Sequence, residues 1–116
     1  MGAVQGVALG GGAGLVSCCD YVVATQDVRI ALSEGKLGIL PAVIGPYVYR
    51  RLGSATFRRL AMQASRVRGE EALRVGFVEA LVDDQNGLEA VVQTIVGEVM
   101  TTGPSAVTLA LSLIHI

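Results

Sequence analysis

The stretch Val4–Glu34, with the sequence VQGVALGGGAGLVSCCDYVVATQDVRIALSE, decides the fold that this protein is predicted to adopt. Its apolar run Val4–Leu9 is typical of a buried strand, three glycines follow, and the apolar segment Ala13–Cys19 then predicts a helix. This order directs backbone N–H groups towards a negatively charged oxygen, because the first N–H groups of a helix have no partner within it. Glycine has no Cβ, so a ligand can approach that backbone closely. We therefore predict an oxyanion-stabilising turn, followed by one acid/base carboxyl group at Glu34.

The composition of the 116 residues predicts one domain with an unusually apolar surface. Hydrophobic residues make up 52% of the chain and charged residues only 16%, where about a quarter is usual. This balance indicates either a piece of a larger protein or a subunit that buries much of its surface against copies of itself. The net charge of −1 and the lack of mixed aromatic and basic clusters argue against a nucleic-acid-binding protein.

The apolar character predicts neither a membrane protein nor a metal site. The segment Ala3–Cys19 is interrupted by glycines and is shorter than the roughly 20 residues needed to cross a bilayer. Cys18 and Cys19 are neighbours, without the CxxC spacing of a metal site or a disulfide framework. We interpret them as small buried thiols, which suits a reducing compartment.

Further strands and helices follow from the pattern of apolar residues and breakers. The predicted strands are Tyr21–Thr25, Val28–Leu32 and Phe77–Val82. The predicted helices are Tyr47–Leu52, Ala55–Ala64 with Ser54 as its N-cap, Gly69–Val75, Leu88–Thr102 and one that opens at Ser105–Ala110. The arginine pairs at 50–51 and 58–59 are interpreted as surface charges, with contacts to phosphates or to a neighbouring subunit as the alternative.

The glycine run does not by itself define a site. It lacks the Gly-Lys-Ser/Thr end of a Walker A loop, and the third glycine of a dinucleotide fingerprint would fall at Leu15. A tight turn without chemistry is therefore an alternative for Gly10–Gly14, and a solvated carboxylate is one for Glu34. Apolar neighbours of Glu34 favour the proton-transfer role; they are Ile30, Leu32, Leu37, Ile39 and Leu40.

In combination, the motifs resemble those of the enoyl-CoA hydratase/isomerase, or crotonase, superfamily. The order and spacing are similar from Val4 to about Val82, at Gly6–Gly12, Cys19-Asp20, Ala24, Ser33-Glu34, Lys36–Gly38, Pro41, Arg51–Gly53, Ala72 and Gly76–Val78. The resemblance implies an α/β fold, in which residues 1–82 form part of a spiral of ββα units and residues 83–110 begin a helical C-terminal region. It also implies that the chain begins within a domain, and that the preceding part would carry much of the CoA-binding surface and the first oxyanion-hole N–H group.

The resemblance also assigns roles to individual residues. Gly11 matches the position whose backbone N–H is the second oxyanion-hole donor, and Glu34 matches the acid/base glutamate that exchanges a proton at the α-carbon. The residues that would bind substrate are Gly10, Gly12, Gly14, Leu37 and Pro41. Gly14 departs from the pattern, because many hydratases of the family have a second glutamate there that helps to position and activate water. A glycine at this position also suggests room for a bulkier or branched acyl group.

We therefore expect an enzyme that hydrates a 2-enoyl-CoA thioester, most similar to the branch that acts on methylglutaconyl-CoA or isohexenylglutaconyl-CoA. An isomerase that moves a proton along the acyl chain is the nearer alternative, and an acyl-CoA-binding homologue without turnover is the other. The 116-residue chain alone is expected to be inactive, because half of the site would be absent. The resemblance implies no metal and no permanently bound cofactor, since coenzyme A enters as part of the substrate. It also implies assembly into trimers or hexamers, and we expect a location in the cytoplasm of a bacterium.

The last six residues, LSLIHI at 111–116, are predicted not to belong to the genuine coding sequence. They are what a common transposon sequencing adapter would encode, so His115, the only histidine, receives no role. We expect the coding sequence to diverge after about Ala110, which sequencing of the gene through this region checks. A longer read that keeps LSLIHI in frame would contradict this prediction.

Overall fold

The run Val4–Leu9, predicted as one strand, is divided between two sheets. In the computed structural model, which describes residues 1–112, strand β1 is Gly2–Val4 and strand β2 is Val7–Leu9. Gly6 lies between them with a φ of 70°, which side chains with a Cβ rarely tolerate, and its carbonyl accepts a hydrogen bond from the Arg29 N–H (2.8 Å). The single-strand prediction is wrong, because one glycine inside an apolar run does not reveal that the chain changes sheets.

The strands of the described residues form two three-stranded sheets. In the first, β3 (Val22–Thr25) lies between β1 and β6 (Ala80–Val82), and all three strands are parallel. In the second, β4 (Arg29–Ala31) is parallel to β2 on one side and antiparallel to β5 (Val67–Arg68) on the other. In each consecutive pair of strands, the first (β1 or β3) belongs to the first sheet and the second (β2 or β4) belongs to the second sheet. This confirms the predicted α/β arrangement of ββα units.

The helices agree with the predicted ones to within a few residues. They are α1 Gly11–Ser17, α2 Gly45–Leu52, α3 Ser54–Gln63, α4 Gly69–Val75, α5 Gln85–Met100 and α6 Pro104–Ser112, and a 3₁₀ helix, Ser33–Leu37, follows β4. Ser54 lies inside α3 rather than at its N-cap, which is Gly53. Asp84 caps α5, because its side chain accepts a hydrogen bond from the Gly87 N–H (2.9 Å).

The predicted strand Phe77–Val82 begins only at Ala80. Gly76 ends α4 with a φ of 100°, and the N–H groups of Phe77 and Val78 both donate to the Ala72 carbonyl (3.0 and 3.3 Å). These hydrogen bonds hold Phe77 in the turn that ends the helix, where it is the largest fully buried side chain. A buried aromatic residue in such a turn has the same local pattern as a strand residue, so the prediction is wrong for the first three positions.

The core joins α1, α2 and α3 to both sheets, and its packing decides which side of α1 faces outwards. Its buried side chains include Val16, Val22, Ile30, Val48, Leu60 and Phe77. Ala13 and Val16 are the inward side chains of α1, whereas Gly11, Leu15 and Cys18 are exposed. The prediction of a buried thiol is therefore wrong for Cys18, while Cys19 is half-buried.

Within residues 1–112, no helix combines the length and the apolar character that a membrane span requires. Of the segment 111–116, Leu111 and Ser112 belong to α6. The other four residues, including His115, lie outside the described part of the chain.

Arg51 is half-buried, and the hydrogen bonds of its side chain lie within the protein, so its interpretation as a surface charge is wrong. Its side chain is only 9% exposed and makes an ion pair with Glu79 (2.7 Å). The Nε–H group donates to the carbonyls of Gly76 (3.0 Å) and Phe77 (3.1 Å), and Nη1 donates to that of Cys19 (2.6 Å). These bonds tie α2 to the residues that follow α1 and α4.

We expect Arg51→Ala to lower the free energy of unfolding by about 3 kcal/mol, because it leaves carbonyl groups and a carboxylate without their donor. Arg50→Ala is the matched control. Arg50 is exposed and forms no ion pair with any described residue, so its loss should change stability by about 0.5 kcal/mol or less. Urea unfolding followed by circular dichroism measures both, and equal losses would contradict the role assigned to Arg51.

Candidate active site

The glycine turn is anchored to the strand that leads to Glu34. β2 ends at Leu9, and Gly10 follows with φ 55° and ψ −116°, a combination that only glycine adopts readily. The Gly10 N–H donates to the Ala31 carbonyl at the end of β4 (3.0 Å). Because β4 runs directly into the 3₁₀ helix, this hydrogen bond holds the turn beside the residues that carry the carboxyl group.

The backbone at Gly11 is open to a ligand. Among residues 1–112, the N–H groups of Gly11 and Gly12 have no backbone acceptor, and no side chain caps α1. Gly11 is exposed, and no described atom outside its chain neighbours and its own helix backbone lies within 4 Å of the place where its Cβ would be. An exposed N–H group at the start of a helix, without an acceptor among the described residues, is suited to bind a negatively charged oxygen.

The Glu34 carboxyl group lies against Gly10. Its Oε1 atom is 3.1 Å from the position that a Cβ on Gly10 would take, and Ser33 Oγ is 3.5 Å from the same point. Gly10 directly precedes Gly11, so the carboxyl group lies beside the turn that carries the Gly11 N–H group. Its Oε2 atom is buried and has no hydrogen-bond partner among the described residues, an arrangement that is costly unless a ligand or water supplies a donor.

An apolar groove lies beside the segment that carries Glu34, although Glu34 itself does not line it. The groove has a volume of about 490 Å³, and Leu9, Ala31, Ser33 and Leu37 are in its lining, to which Lys36 and Arg66 add positive charge. Of the predicted apolar neighbours, Ile30 and Leu32 are buried, but Leu37 and Leu40 are 74% and 78% exposed. Large apolar side chains left in contact with water are typical of a surface that binds another apolar group.

The remaining predicted site residues face other parts of the molecule. A Cβ on Gly12 would contact Ala8 at 3.6 Å, whereas one on Gly14 would lie 2.6 Å from Ile44 Cγ2. Ile44 therefore fills the space that the sequence suggested would be free beside Gly14. The Pro41 carbonyl accepts a hydrogen bond from the Gly45 N–H at the start of α2 (2.9 Å).

Two residues near the site had no predicted role. Ser33 faces the glycine turn together with Glu34, and its position directly before that glutamate was the available signal. Ile44 contacts Gly14, and no local pattern indicates this contact, because it joins segments that are distant in the sequence.

The sequence matches a known family model and curated proteins. The family model described as enoyl-CoA hydratase/isomerase matches residues 1–114. The chain is 31% identical over 103 residues to the enoyl-CoA hydratase ACTT6 of Alternaria alternata, covering 89% of this chain and 35% of that protein. The chain thus spans about a third of the length of this curated relative.

Two solved structures superpose closely on nearly the whole of this chain. An enoyl-CoA hydratase/isomerase from Marinobacter aquaeolei superposes with a TM-score of 0.91 at 29% identity, over 97% of this chain and 43% of that one. Pseudomonas aeruginosa AtuE superposes with a TM-score of 0.89 at 42% identity, over 96% of this chain and 44% of that one.

We expect Gly10→Ala to displace the Glu34 carboxyl group, because the new Cβ would lie 3.1 Å from Oε1. Gly53→Ala is the matched control, since Gly53 also has a positive φ (84°) but no atom within 4 Å of its Cβ position. Both variants should be destabilised by about 1–3 kcal/mol of backbone strain. Crystal structures of the two should show Glu34 moved only in Gly10→Ala; an unmoved carboxyl group there would contradict the assignment.

Proposed function

Because the chain belongs to the enoyl-CoA hydratase/isomerase family, we propose that it supplies one side of the active site of a hydratase that adds water to a 2-enoyl-CoA thioester. One observation carries the proposal: a carboxyl group whose buried Oε2 has no partner among residues 1–112 lies against Gly10, in the turn that carries the exposed Gly11. An acid/base group beside an oxyanion donor is the minimum that proton transfer next to a carbonyl requires.

In this proposal the Gly11 N–H group donates a hydrogen bond to the thioester oxygen. The bond strengthens as negative charge develops on that oxygen, and loss of one such donor typically costs about 100-fold or more in rate. When the water oxygen bonds to the β-carbon, the electron pair of the double bond passes through the α-carbon to the thioester oxygen, forming an enolate.

Glu34 is proposed to carry both proton transfers. Its carboxylate takes a proton from the water as the new C–O bond forms. The resulting carboxylic acid returns that proton to the α-carbon when the enolate collapses, so that one molecule of water is added in full. Such general acid–base catalysis typically contributes about 10²–10⁴-fold in rate.

Double-bond isomerisation is the second candidate, and the surroundings of Gly14 favour it. Gly14 offers no second carboxyl group, and the hydrocarbon side chain of Ile44 occupies the space beside it. A single glutamate suffices to remove a proton from one carbon of the acyl chain and return it to another without water. Hydration adds the mass of one water molecule to the thioester, whereas isomerisation yields an isomeric enoyl thioester of unchanged mass.

The acyl group is proposed to be bulky or branched, as in methylglutaconyl-CoA or isohexenylglutaconyl-CoA. The support is the exposed apolar surface that follows Glu34, in which Val43 is 84% exposed in addition to Leu37 and Leu40. Lys36 and Arg66 in the adjoining groove favour an anionic ligand such as a CoA thioester. Coenzyme A then acts as part of the substrate, and the proposed chemistry needs no resident cofactor.

The proposal concerns a whole protein of family length. Residues 1–82 would supply the described side of the site and residues 83–110 the start of a helical region, while other parts of the family fold would complete the oxyanion hole and the CoA-binding surface. Assembly into trimers or hexamers is proposed on the exposed apolar residues of α5 and α6, which are Val96, Val99, Met100 and Leu109. A location in the bacterial cytoplasm stays a prediction.

We expect Glu34→Gln to lower kcat by about 10²–10⁴-fold while acyl-CoA still binds, because glutamine keeps the shape of the side chain but transfers no proton. Glu98→Gln on the exposed surface of α5 is the matched control and should keep full activity. Enoyl-CoA turnover and calorimetric acyl-CoA binding measure the two effects. Both measurements are made in the whole protein of family length. Wild-type turnover in Glu34→Gln would refute the acid/base role, and binding without turnover in the unmodified whole protein would identify a non-catalytic homologue.

A further inference from the structure

Ile44 packs so closely on Gly14 that only a glycine fits at position 14. A Cβ added to Gly14 would lie 2.6 Å from Ile44 Cγ2 and 2.9 Å from Ile44 Cβ, closer than non-bonded carbon atoms approach one another. Rotation about χ1 of Ile44 moves its γ carbons but leaves its Cβ in place. No rotamer of Ile44 therefore admits a side chain at residue 14 without a backbone shift.

The backbone is held on both sides of this contact. Gly14 is buried in α1, and its N–H donates to the Gly10 carbonyl (3.1 Å). The Ile44 carbonyl opens α2 and accepts the N–H groups of Tyr47 and Val48 (3.1 Å each). Each residue is thus fixed within its own segment, and their contact lies where α1 meets the start of α2.

The same contact closes a ring around the candidate site. Glu34 lies against Gly10, and the Gly10 carbonyl holds Gly14, which packs on Ile44. The loop 38–44 then leads from Ile44 back to the 3₁₀ helix, where the Ile39 N–H donates to the Glu34 carbonyl (3.0 Å). The loop at Ile44 thus adds a further connection between the carboxyl group and the glycine turn, beside the direct contact at Gly10 and the hydrogen bond from Gly10 to Ala31.

We propose that Ile44 is a positioning residue whose contact with Gly14 sets how closely the Glu34 carboxyl group approaches the Gly11 N–H. The consequence for catalysis rests on the proposed function, but the geometry does not. Without the Ile44 side chain, the loop and the 3₁₀ helix lose their contact with Gly14 in α1. A displacement of about 1 Å in a reacting group costs on the order of 100-fold in rate.

Crystal structures of the unmodified protein and of Ile44→Ala test the geometry without reference to activity. We expect the Glu34 carboxyl group to move away from Gly10 in the variant. A carboxyl group that keeps its contact with Gly10 overturns the positioning role. This outcome is distinct from a failure of the proposed function, which would show as a lack of enoyl-CoA turnover in the unmodified whole protein of family length.

Kinetics of a matched pair of glycine variants test the consequence. Gly14→Ala forces a methyl group against Ile44, and Gly87→Ala forces one to 2.8 Å from Val82 Cβ, at the start of α5. Both should be destabilised, but only Gly14→Ala should lower kcat, by about 10-fold or more and with a smaller change in KM. The double variant Gly14→Ala/Ile44→Gly should recover part of that loss, because it removes the colliding side chain.

An equal loss of kcat in Gly87→Ala would show that destabilisation alone explains the effect and would overturn the proposal. If Gly14→Ala does not fold, Ile44→Val and Ile44→Ala give the same comparison. Valine keeps the Cβ and both γ carbons, so it should lose less kcat than alanine. Equal losses in these two variants contradict the positioning role.

Discussion

The close approach of the Glu34 carboxyl group to the α-carbon of Gly10 is the contact on which the candidate site depends. Any Cβ at position 10 would crowd Oε1 at 3.1 Å, and the backbone there has a φ of 55°, so glycine satisfies two constraints at once. The approach places the carboxyl group next to a turn whose N–H groups, at Gly11 and Gly12, have no acceptor among the described residues. A carboxyl oxygen buried without a partner is unfavourable for folding, which is why such an arrangement is expected where a ligand supplies the missing interaction.

The rest of the fold holds this contact in place from three directions. The parallel pairing of β2 with β4, continued by the hydrogen bond from Gly10 to Ala31, sets the register between the glycine turn and the residues before Glu34. The packing of Ile44 on Gly14 holds the far side of α1. Arg51 ties α2, which begins directly after Ile44, to the segments that follow α1 and α4. Each of these is a short-range interaction, and together they leave the turn and the carboxyl group little freedom to separate.

The absence of a side chain at Gly14 has a different meaning in the structure than in the sequence. On the sequence alone, a glycine there suggests an enlarged acyl pocket. In the fold, the neighbouring isoleucine occupies the space, and the apolar surface available to a ligand lies instead beyond Glu34, at Leu37, Leu40 and Val43. Membership of the enoyl-CoA hydratase/isomerase family is established by the match over nearly the whole chain. The reaction and the acyl group are proposals that follow from this local geometry.

The sequence by itself determined the order and type of nearly all elements, the glycine turn and the glutamate that follows it, because apolar spacing, glycine and proline act within a few residues. Only the tertiary structure decided that Val4–Leu9 is split between two sheets, that Phe77 belongs to a helix-ending turn, and that the Arg51 side chain is bonded within the protein rather than exposed. Only the tertiary structure showed that Ile44 packs on Gly14 and that the Glu34 carboxyl group contacts Gly10. The physical reason is that each of these features depends on a partner elsewhere in the chain, and local patterning carries no record of which distant segment a residue will contact.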